Sequence, residues 1–316
     1  MANITDFTNI TYCGKEANEI FSKDLFDLGL TQIGITLKDG VKGKQKIYTG
    51  EIGDVWQAYS CDWSPKGLAS LAEAYIEPVA IKVNQEQCLD EFWDTWMVEN
   101  TRISLQGGIP EPFNTWYFGK LRQKMGREYE EIFWQGDSAR TATTKAYLNV
   151  TDGIEAKLEA NSGVTKISGA TFTVDNVLSQ VEAAINAAVA KAAEGEIDME
   201  GYKVFMNYSD VRVLEVALGK LCCPNKESIF SNYAKNGNSI YVLGFEIVPT
   251  MQSRNSVIVG PAKNLVLGFD TFDSHQEYKI IDMRDTLGIN QFRILAISNI
   301  AVGIVFPELF VYSRPV

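Results

Sequence analysis

Residues 112–136, PFNTWYFGKLRQKMGREYEEIFWQG, form the longest stretch of the chain with a single unbroken helical pattern. Pro112 stands where the first turn of a helix tolerates proline, and Gly136 stands where helices commonly stop. Apolar residues recur at three- and four-residue spacing, and charged residues, Glu130 and Glu131 among them, mostly occupy the other faces of the helix. Those apolar residues are Tyr117, Leu121, Met125, Tyr129, Ile132 and Phe133. Such a helix would be about 36 Å long, which predicts a main support of the fold.

Two glycines interrupt this predicted helix. Gly119 and Gly126 are each expected to cost about 1 kcal/mol relative to alanine. Either a close backbone contact or tolerance on an exposed face would explain them.

The composition is that of an ordinary folded protein. The chain has 316 residues, of which 46% are hydrophobic and 22% are charged, enough for a sizeable core in one or two domains. Its formal net charge is −11. Because binding to phosphate groups needs clustered lysine and arginine, this charge argues against nucleic acid held on a basic surface. Any nucleic acid nearby would be enclosed rather than bound.

The lack of a recognisable targeting signal and the cysteine usage predict a protein that is made and kept in a cytoplasm. The beginning of the chain has neither a basic region nor an apolar signal segment. The most apolar window, Ile294–Phe306, is too short to span a membrane. The five cysteines are an odd number without the spacing of a metal site, which is typical of reduced thiols.

The segment 31–53, TQIGITLKDGVKGKQKIYTGEIG, has the pattern of a β-hairpin. Two alternating runs flank Asp39, Gly40 and Gly43, which are residues typical of a hairpin turn. Near the predicted tip the lysines either form a solvated surface or reach the acidic face of a neighbouring copy, where opposite charges aid encounter and register. These lysines are Lys38, Lys42, Lys44 and Lys46.

The remaining elements are predicted from periodicity, caps and glycine stops. Helices are expected over Glu16–Leu28, Asp90–Val98 and Thr173–Gly195, and from a Ser209 cap to Gly219. Strands are expected over Tyr75–Val83, where Pro78 indicates an edge or a bulge, and over Tyr202–Asn207 and Ser239–Val248. Six more are expected near the end of the chain, at Val257–Val259, Asn264–Gly268, Tyr278–Asp282, Gln291–Ile297, Ile300–Phe306 and Leu309–Tyr312. A polar stretch predicts a domain boundary near residues 148–150, followed by an α/β lobe.

A search for catalytic motifs yields little. His275 is the only histidine, so a serine or cysteine triad could be built only around it, and neither a nucleophile elbow nor a phosphate-binding glycine motif occurs. One cluster could hold a hard divalent ion or form a polar loop between strands. It comprises Asp270, Asp273, His275, Glu277 and Asp282. We therefore predict that the protein has no catalytic residue, no cofactor and no metal. The rival hypothesis is a soluble metal-dependent enzyme that uses this cluster.

Taken in order, the segments resemble a tailed-phage major capsid protein of the Hong Kong 97 fold, an α+β fold. The helix at 112–136 resembles the family's spine helix, and the closing run FRILAISNIAVGIVFPELFVY resembles its last strands. The stretch NLVLGFDTFDSHQEYKIIDMRD is similar to capsid proteins of Bacteroidetes-type phages. The resemblance implies an N-terminal arm (1–30), an extended loop (31–70), a peripheral domain (71–149), an α/β axial domain (150–256) and a return to the peripheral domain (257–316).

The resemblance implies a structural role without enzymatic activity. Copies would self-assemble as hexamers and pentamers into an icosahedral shell that encloses phage double-stranded DNA. The protein would be a virion component assembled in the host cytoplasm, with separate scaffold, portal and cement proteins as possible partners and no membrane contact. Lys42, Lys44 and Lys46 are the candidate contacts between copies. The alternative within the same fold is the shell protein of an encapsulin-like nanocompartment.

Overall fold

The computed structural model of the protein describes residues 11–13, 33–52, 69–88, 113–141, 144–194, 199–220, 233–236, 239–269, 277–283, 287–289 and 291–315, together with residues 56, 58–59, 61, 66 and 91. The helix predicted over Glu16–Leu28 lies outside the described residues. So does nearly all of the helix predicted over Asp90–Val98.

The described residues contain fifteen strands and four α-helices. In chain order they are β1 (Thr11–Cys13), β2 (Thr36–Asp39), β3 (Gln45–Ile52), β4 (Ala69–Ile76), β5 (Val79–Cys88), α1 (Phe113–Gln135), α2 (Ile154–Ala160), β6 (Thr165–Gly169), α3 (Val177–Glu194), β7 (Tyr202–Asn207), α4 (Tyr208–Lys220), β8 (Tyr233–Asn236), β9 (Ser239–Val242), β10 (Phe245–Thr250), β11 (Val257–Pro261), β12 (Leu265–Phe269), β13 (Glu277–Asp282), β14 (Gln291–Ile304) and β15 (Val311–Pro315). The expected α+β class is confirmed.

A six-stranded sheet is built around the long strand β14. On one side β14 pairs antiparallel with β13 and then with β12, and on the other side it pairs antiparallel with β5. The short strand β1 extends the sheet beyond β13, and β2 extends it in parallel beyond β12.

A seven-stranded sheet has the order β6-β15-β11-β7-β10-β9-β8. Helices α3 and α4 pack on it through small and branched apolar side chains such as Val181, Ala184 and Leu214. Because β11 and β15 lie in this sheet while β12, β13 and β14 lie in the other, the end of the chain contributes strands to both sheets.

The last turns of α1 lie in a core built from both sheets. Phe133 and Trp134 are fully buried, and the Trp134 ring lies 5.4 Å from the ring of Phe205 on β7. The same cluster includes Leu265 on β12 and Ile300 on β14. Burying an aromatic or aliphatic side chain contributes roughly 1.5–3 kcal/mol, so the end of α1 stabilises the contact between the sheets.

The long helix is confirmed, since α1 covers all but the end residues of 112–136. The expectation that Glu130 and Glu131 lie on a polar face is wrong, because both are only 5% exposed. These two residues lie on the part of α1 that is enclosed between the two sheets, where every face of the helix is covered.

The predicted hairpin at 31–53 is wrong. Gly40 has a φ of +73° and lets the chain turn, but β2 pairs with β12 and β3 pairs with β4. Gly40 was recognised correctly as a turn residue, whereas Asp39 belongs to β2 and the strand partners come from other parts of the chain.

Two predicted strands are each divided by a local break. Tyr75–Val83 becomes the end of β4 and the start of β5, because Pro78 cannot donate a ladder hydrogen bond. Ser239–Val248 becomes the β9–β10 hairpin, in which Leu243 and Gly244 have φ values of 51° and 85°, as a tight two-residue turn requires. Conversely, the strands predicted at Gln291–Ile297 and Ile300–Phe306 join as β14.

The helix starts also differ from the prediction. Asn207 rather than Ser209 caps α4, since Asn207 Oδ1 accepts the Ser209 N–H at 2.9 Å. Helix α3 begins at Val177, because Thr173 and Asn176 form a capping turn before it. Among the helices described, none combines the length and apolar composition needed to cross a bilayer.

Candidate functional site

Strands β3 and β4 form a separate two-stranded ribbon. Eight residue pairs join them, from Gln45 opposite Ile76 to Ile52 opposite Ala69, which gives a ribbon of about 26 Å at about 3.3 Å per residue. Among the described strands, neither pairs with any other. Because an isolated two-stranded ribbon is at best marginally stable in water, this one is a candidate contact surface.

The base of the ribbon is fixed to the six-stranded sheet. The Ile76 side chain is fully buried with Val41, Val266 and Ala301. Gly303 on β14 leaves room for it, since a Cβ there would lie 2.7 Å from Ile76 Cγ1. The contacts with Val266 and with Ala301 and Gly303 hold the base of the ribbon against β12 and β14.

The candidate lysines lie at the base of the ribbon, so the expectation that they cluster near its tip is wrong. Lys44 Nζ and Lys46 Nζ lie 4.9 Å and 5.6 Å from the ring centre of Tyr75, within the range of cation–π attraction. Lys42 is exposed beside them, whereas Lys38 lies in β2. The ribbon's strands are β3 and β4, so the segment that closes it is 53–68. Contact of Lys42, Lys44 and Lys46 with another copy stays a prediction.

The closing segment exposes two aromatic side chains that sequence reasoning missed. Trp56 and Tyr59 are each 93% exposed. Single exposed apolar residues are normal on a protein surface, but two large rings three residues apart at the end of an unpaired ribbon indicate a contact site. Aromatic residues in a polar, loop-like stretch were the available signal.

The acidic cluster at the start of β13 is only partly described. Asp270, Asp273 and His275 lie outside the described residues. Glu277 and Asp282 occupy the two ends of β13, so their backbone positions are about 17 Å apart at about 3.4 Å per residue. Among the residues that the structure describes, no group of three or more potential ligands could hold a metal ion.

An apolar cavity of about 260 Å³ lies between α1 and the six-stranded sheet. Tyr129 closes one side, and its hydroxyl donates a hydrogen bond to the Asn299 carbonyl at 3.4 Å. Most of the lining is apolar, which suits an apolar side chain better than chemistry on a polar substrate. The apolar lining includes Ala80, Ile81, Val83, Met125, Ile132 and Ala296.

Close to this cavity, an ion pair fixes the end of α1. Glu131 Oε2 accepts hydrogen bonds from Lys145 Nζ at 2.8 Å and from the Tyr147 hydroxyl at 2.5 Å. Burial alone would raise the pKa of the Glu131 carboxyl, but these bonds outweigh it and hold the pKa below its ordinary value. The carboxylate therefore holds structure together and is not poised for proton transfer.

Comparison of the sequence with protein-family models gives no match, and comparison with curated proteins gives none either.

Comparison with solved structures gives similarities over nearly the whole chain. A chain of the satellite phage P4 procapsid, in a structure that includes the size determination (Sid) protein, has a TM-score of 0.64 and 12% identity, covering 98% of this chain and 93% of that one. The capsid of the native GTA particle has a TM-score of 0.57 and 11% identity, with 91% and 89% covered. The capsid of Myoviridae phage XM1 has a TM-score of 0.53 and 12% identity, with 100% and 96% covered. At such low identities, these similarities show a shared fold.

Proposed function

We propose that this chain, which has the fold of phage capsid proteins, is a major capsid protein. The observation that carries the proposal is the extent of the similarity, 98% of this chain and 93% of the P4 procapsid chain. The role is therefore structural rather than enzymatic, and it needs neither a cofactor nor a metal.

In this proposal, copies assemble as hexamers and pentamers into an icosahedral shell around phage double-stranded DNA. The protein belongs to the virion, is assembled in the host cytoplasm and works with separate scaffold, portal and cement proteins. The β3–β4 ribbon supports assembly, because Trp56 and Tyr59 at its end are exposed instead of folded onto their own chain. The net charge of −11 is compatible with a shell that confines DNA without binding it tightly.

We assign the six-stranded sheet and α1 to the peripheral domain and the seven-stranded sheet to the axial domain. Strand β11 pairs with β7 of the axial sheet. In this assignment the return to the peripheral domain begins with β12 instead of at residue 257, and β15 crosses back to the axial sheet. Because β2 lies in the six-stranded sheet and β4 ends at Ile76, we place the ribbon of the extended loop at 45–76 instead of 31–70. The arm (1–30) keeps its proposed limits, although its strand β1 extends the peripheral sheet.

Assembly is tested by expressing the full chain with and without its phage's scaffold protein and imaging the product by negative-stain electron microscopy. Closed particles of uniform diameter are expected. A compact monomer under both conditions would refute the proposal. Particles purified from phage-infected cells should contain nuclease-protected DNA, whereas particles filled with a cargo protein would indicate a nanocompartment.

The ribbon lysines are tested by replacing Lys42, Lys44 and Lys46 together with glutamate. Because the change reverses charge at a contact between acidic copies, particle yield should fall and should recover in part at high salt. The matched control carries the same charge change at three exposed lysines outside the ribbon strands, Lys120, Lys220 and Lys263. Equal yields for the two triple variants would show that the lysines at the ribbon base make no contact between copies.

A further inference from the structure

The loop between β10 and β11, residues 251–256, is held by carboxylates from three different helices. Glu130 on α1 accepts the N–H of Met251. Glu155 on α2 accepts the N–H of Ser253 at 3.0 Å. Asp210 on α4 accepts the N–H of Asn255 at 2.6 Å. Alternate residues of one short loop are thus hydrogen-bonded to three different helices.

This loop connects the two halves of the fold. Its Met251 carbonyl also accepts a hydrogen bond from Gln135 Nε2 at the end of α1. Its Gln252 side chain donates to the Phe205 carbonyl on β7 at 3.1 Å. Helix α1 is itself fixed to the six-stranded sheet, since the Tyr129 hydroxyl donates a hydrogen bond to the Asn299 carbonyl on β14. The loop therefore links α1, and through it the six-stranded sheet, to the seven-stranded sheet.

Each of the three carboxyl groups is buried, and burial raises the pKa of each. Glu155 is well provided with partners, since the hydroxyls of Ser253 and Ser256 donate to it. Asp210 has the Arg254 guanidinium 3.5 Å away. Oε1 of Glu130 and Oδ1 of Asp210 both lack a hydrogen-bond partner among the described residues, but Asp210 Oδ1 is the oxygen that lies beside the Arg254 guanidinium. Burial raises the pKa of Glu130 to about 7.

The charged groups around Glu130 do not compensate for its burial. Glu131 beside it raises the pKa further, and Arg127 one turn earlier lowers it. Tyr208 on α4 is close enough for the Glu130 charge to raise the pKa of its hydroxyl. Around the other two carboxyls the facing groups are Arg314 and Tyr312 for Glu155 and Arg254 for Asp210. Because its pKa is raised to about 7, Glu130 changes its charge near neutral pH.

We infer that the loop 251–256 is a proton-sensitive joint between α1 and the seven-stranded sheet, held most firmly while Glu130 is protonated and opened more often once it ionises. An ionised carboxylate with a buried, unpartnered oxygen is costly. Opening the loop admits water to that oxygen and removes the cost. The joint is a property of the single chain, so it does not depend on whether copies assemble.

The direction of the effect follows from linkage. In the closed state the pKa of Glu130 is raised above its ordinary value of 4.5 to about 7, so the stabilising contribution is complete below 4.5 and is lost as the pH rises through about 7. If the carboxyl regains its ordinary pKa in the open state, the opening equilibrium constant rises about tenfold between pH 6 and pH 8.

Amide hydrogen exchange tests the joint. Protection factors for peptides covering 251–256, corrected for the pH dependence of intrinsic exchange, should fall about tenfold between pH 6 and pH 8 in the full chain. In Glu130→Gln, which keeps the shape of the protonated side chain, protection should be independent of pH. The control Glu128→Gln, on the same helix with its carboxylate paired to Lys124 at 3.0 Å, should behave like the parent chain.

Protection that is constant with pH in the parent chain would overturn the inference, and so would a tenfold fall that persists in Glu130→Gln. Infrared difference spectroscopy of the parent chain provides a readout that does not depend on the variant folding. A protonated-carboxyl band present at pH 6 and lost at pH 8 is expected, also in Glu128→Gln. Absence of that band at pH 6 would overturn the inference.

Discussion

Replacing Gly136 with alanine should be far more destabilising than a surface substitution. Gly136 follows α1, and Gly153 precedes α2, where the Gly153 N–H donates to the Gly136 carbonyl at 2.8 Å. A Cβ on Gly136 would lie 2.4 Å from the Thr151 carbonyl oxygen and 2.6 Å from that of Ile132. Both oxygens belong to the backbone, so no side-chain rotation relieves the overlap and the two segments must move apart.

The size of the effect follows from what this movement breaks. The Gly153–Gly136 hydrogen bond and the bond from the Asp137 N–H to the Leu148 carbonyl, both 2.8 Å long, contribute about 1 kcal/mol each. Forcing an extra methyl group into a packed site costs about 1–3 kcal/mol more. The expected loss is about 3–5 kcal/mol, a large part of the roughly 5–15 kcal/mol that stabilises a typical protein.

Urea unfolding of the unassembled protein, followed by far-ultraviolet circular dichroism, measures this loss. Gly119→Ala is the matched control, because it lies on α1 and a Cβ there would meet nothing within 4 Å. It should stabilise the protein by up to about 1 kcal/mol through helix propensity. A Gly136→Ala protein within about 0.5 kcal/mol of the parent chain, or a Gly119→Ala protein equally destabilised, would refute the packing argument.

Two further predictions concern the ribbon base and the end of α1. Ile76→Ala empties the site opposite Gly303 and should destabilise the chain by about 2–4 kcal/mol in the same urea assay, whereas no change would show that the ribbon base is not packed. Glu131→Gln weakens the bonds from Lys145 and Tyr147. Because the folded pKa of Glu131 is depressed, its contribution is present above the ordinary value near 4.5 and lost as the pH falls through the folded pKa. The stability gap between Glu131→Gln and the parent chain should therefore narrow in acid, and a gap independent of pH would contradict the ion-pair account.

The sequence predicted the elements that local physics controls. Helix α1 agrees with its pattern because helical periodicity, an initial proline and a terminal glycine act within a few residues of each other. Strand β7 was predicted with its observed limits for the same reason. Strands β11 and β12 are nearly continuous apolar runs and are buried, as strands covered on both faces are.

Only part of the candidate site could be predicted from the sequence. Lys42, Lys44 and Lys46 were identified as a cluster, but their place at the ribbon base depends on β3 pairing with β4 across an intervening segment. The turn residues around Gly40 could not reveal that β2 belongs with β12, more than two hundred residues later. Short strands of similar composition have many compatible partners, so the pairing is decided by the packing of the whole chain.

By itself, the sequence determined a long amphipathic helix, a set of apolar strands and an acidic chain without a catalytic motif, because composition and periodicity act locally. Only the tertiary structure decided which strands share a sheet and which carboxylates lose contact with water. Glu130 and Glu128 look alike in the sequence, yet one is enclosed between two sheets and the other reaches Lys124. That difference arises because desolvation depends on neighbours brought together from distant parts of the chain.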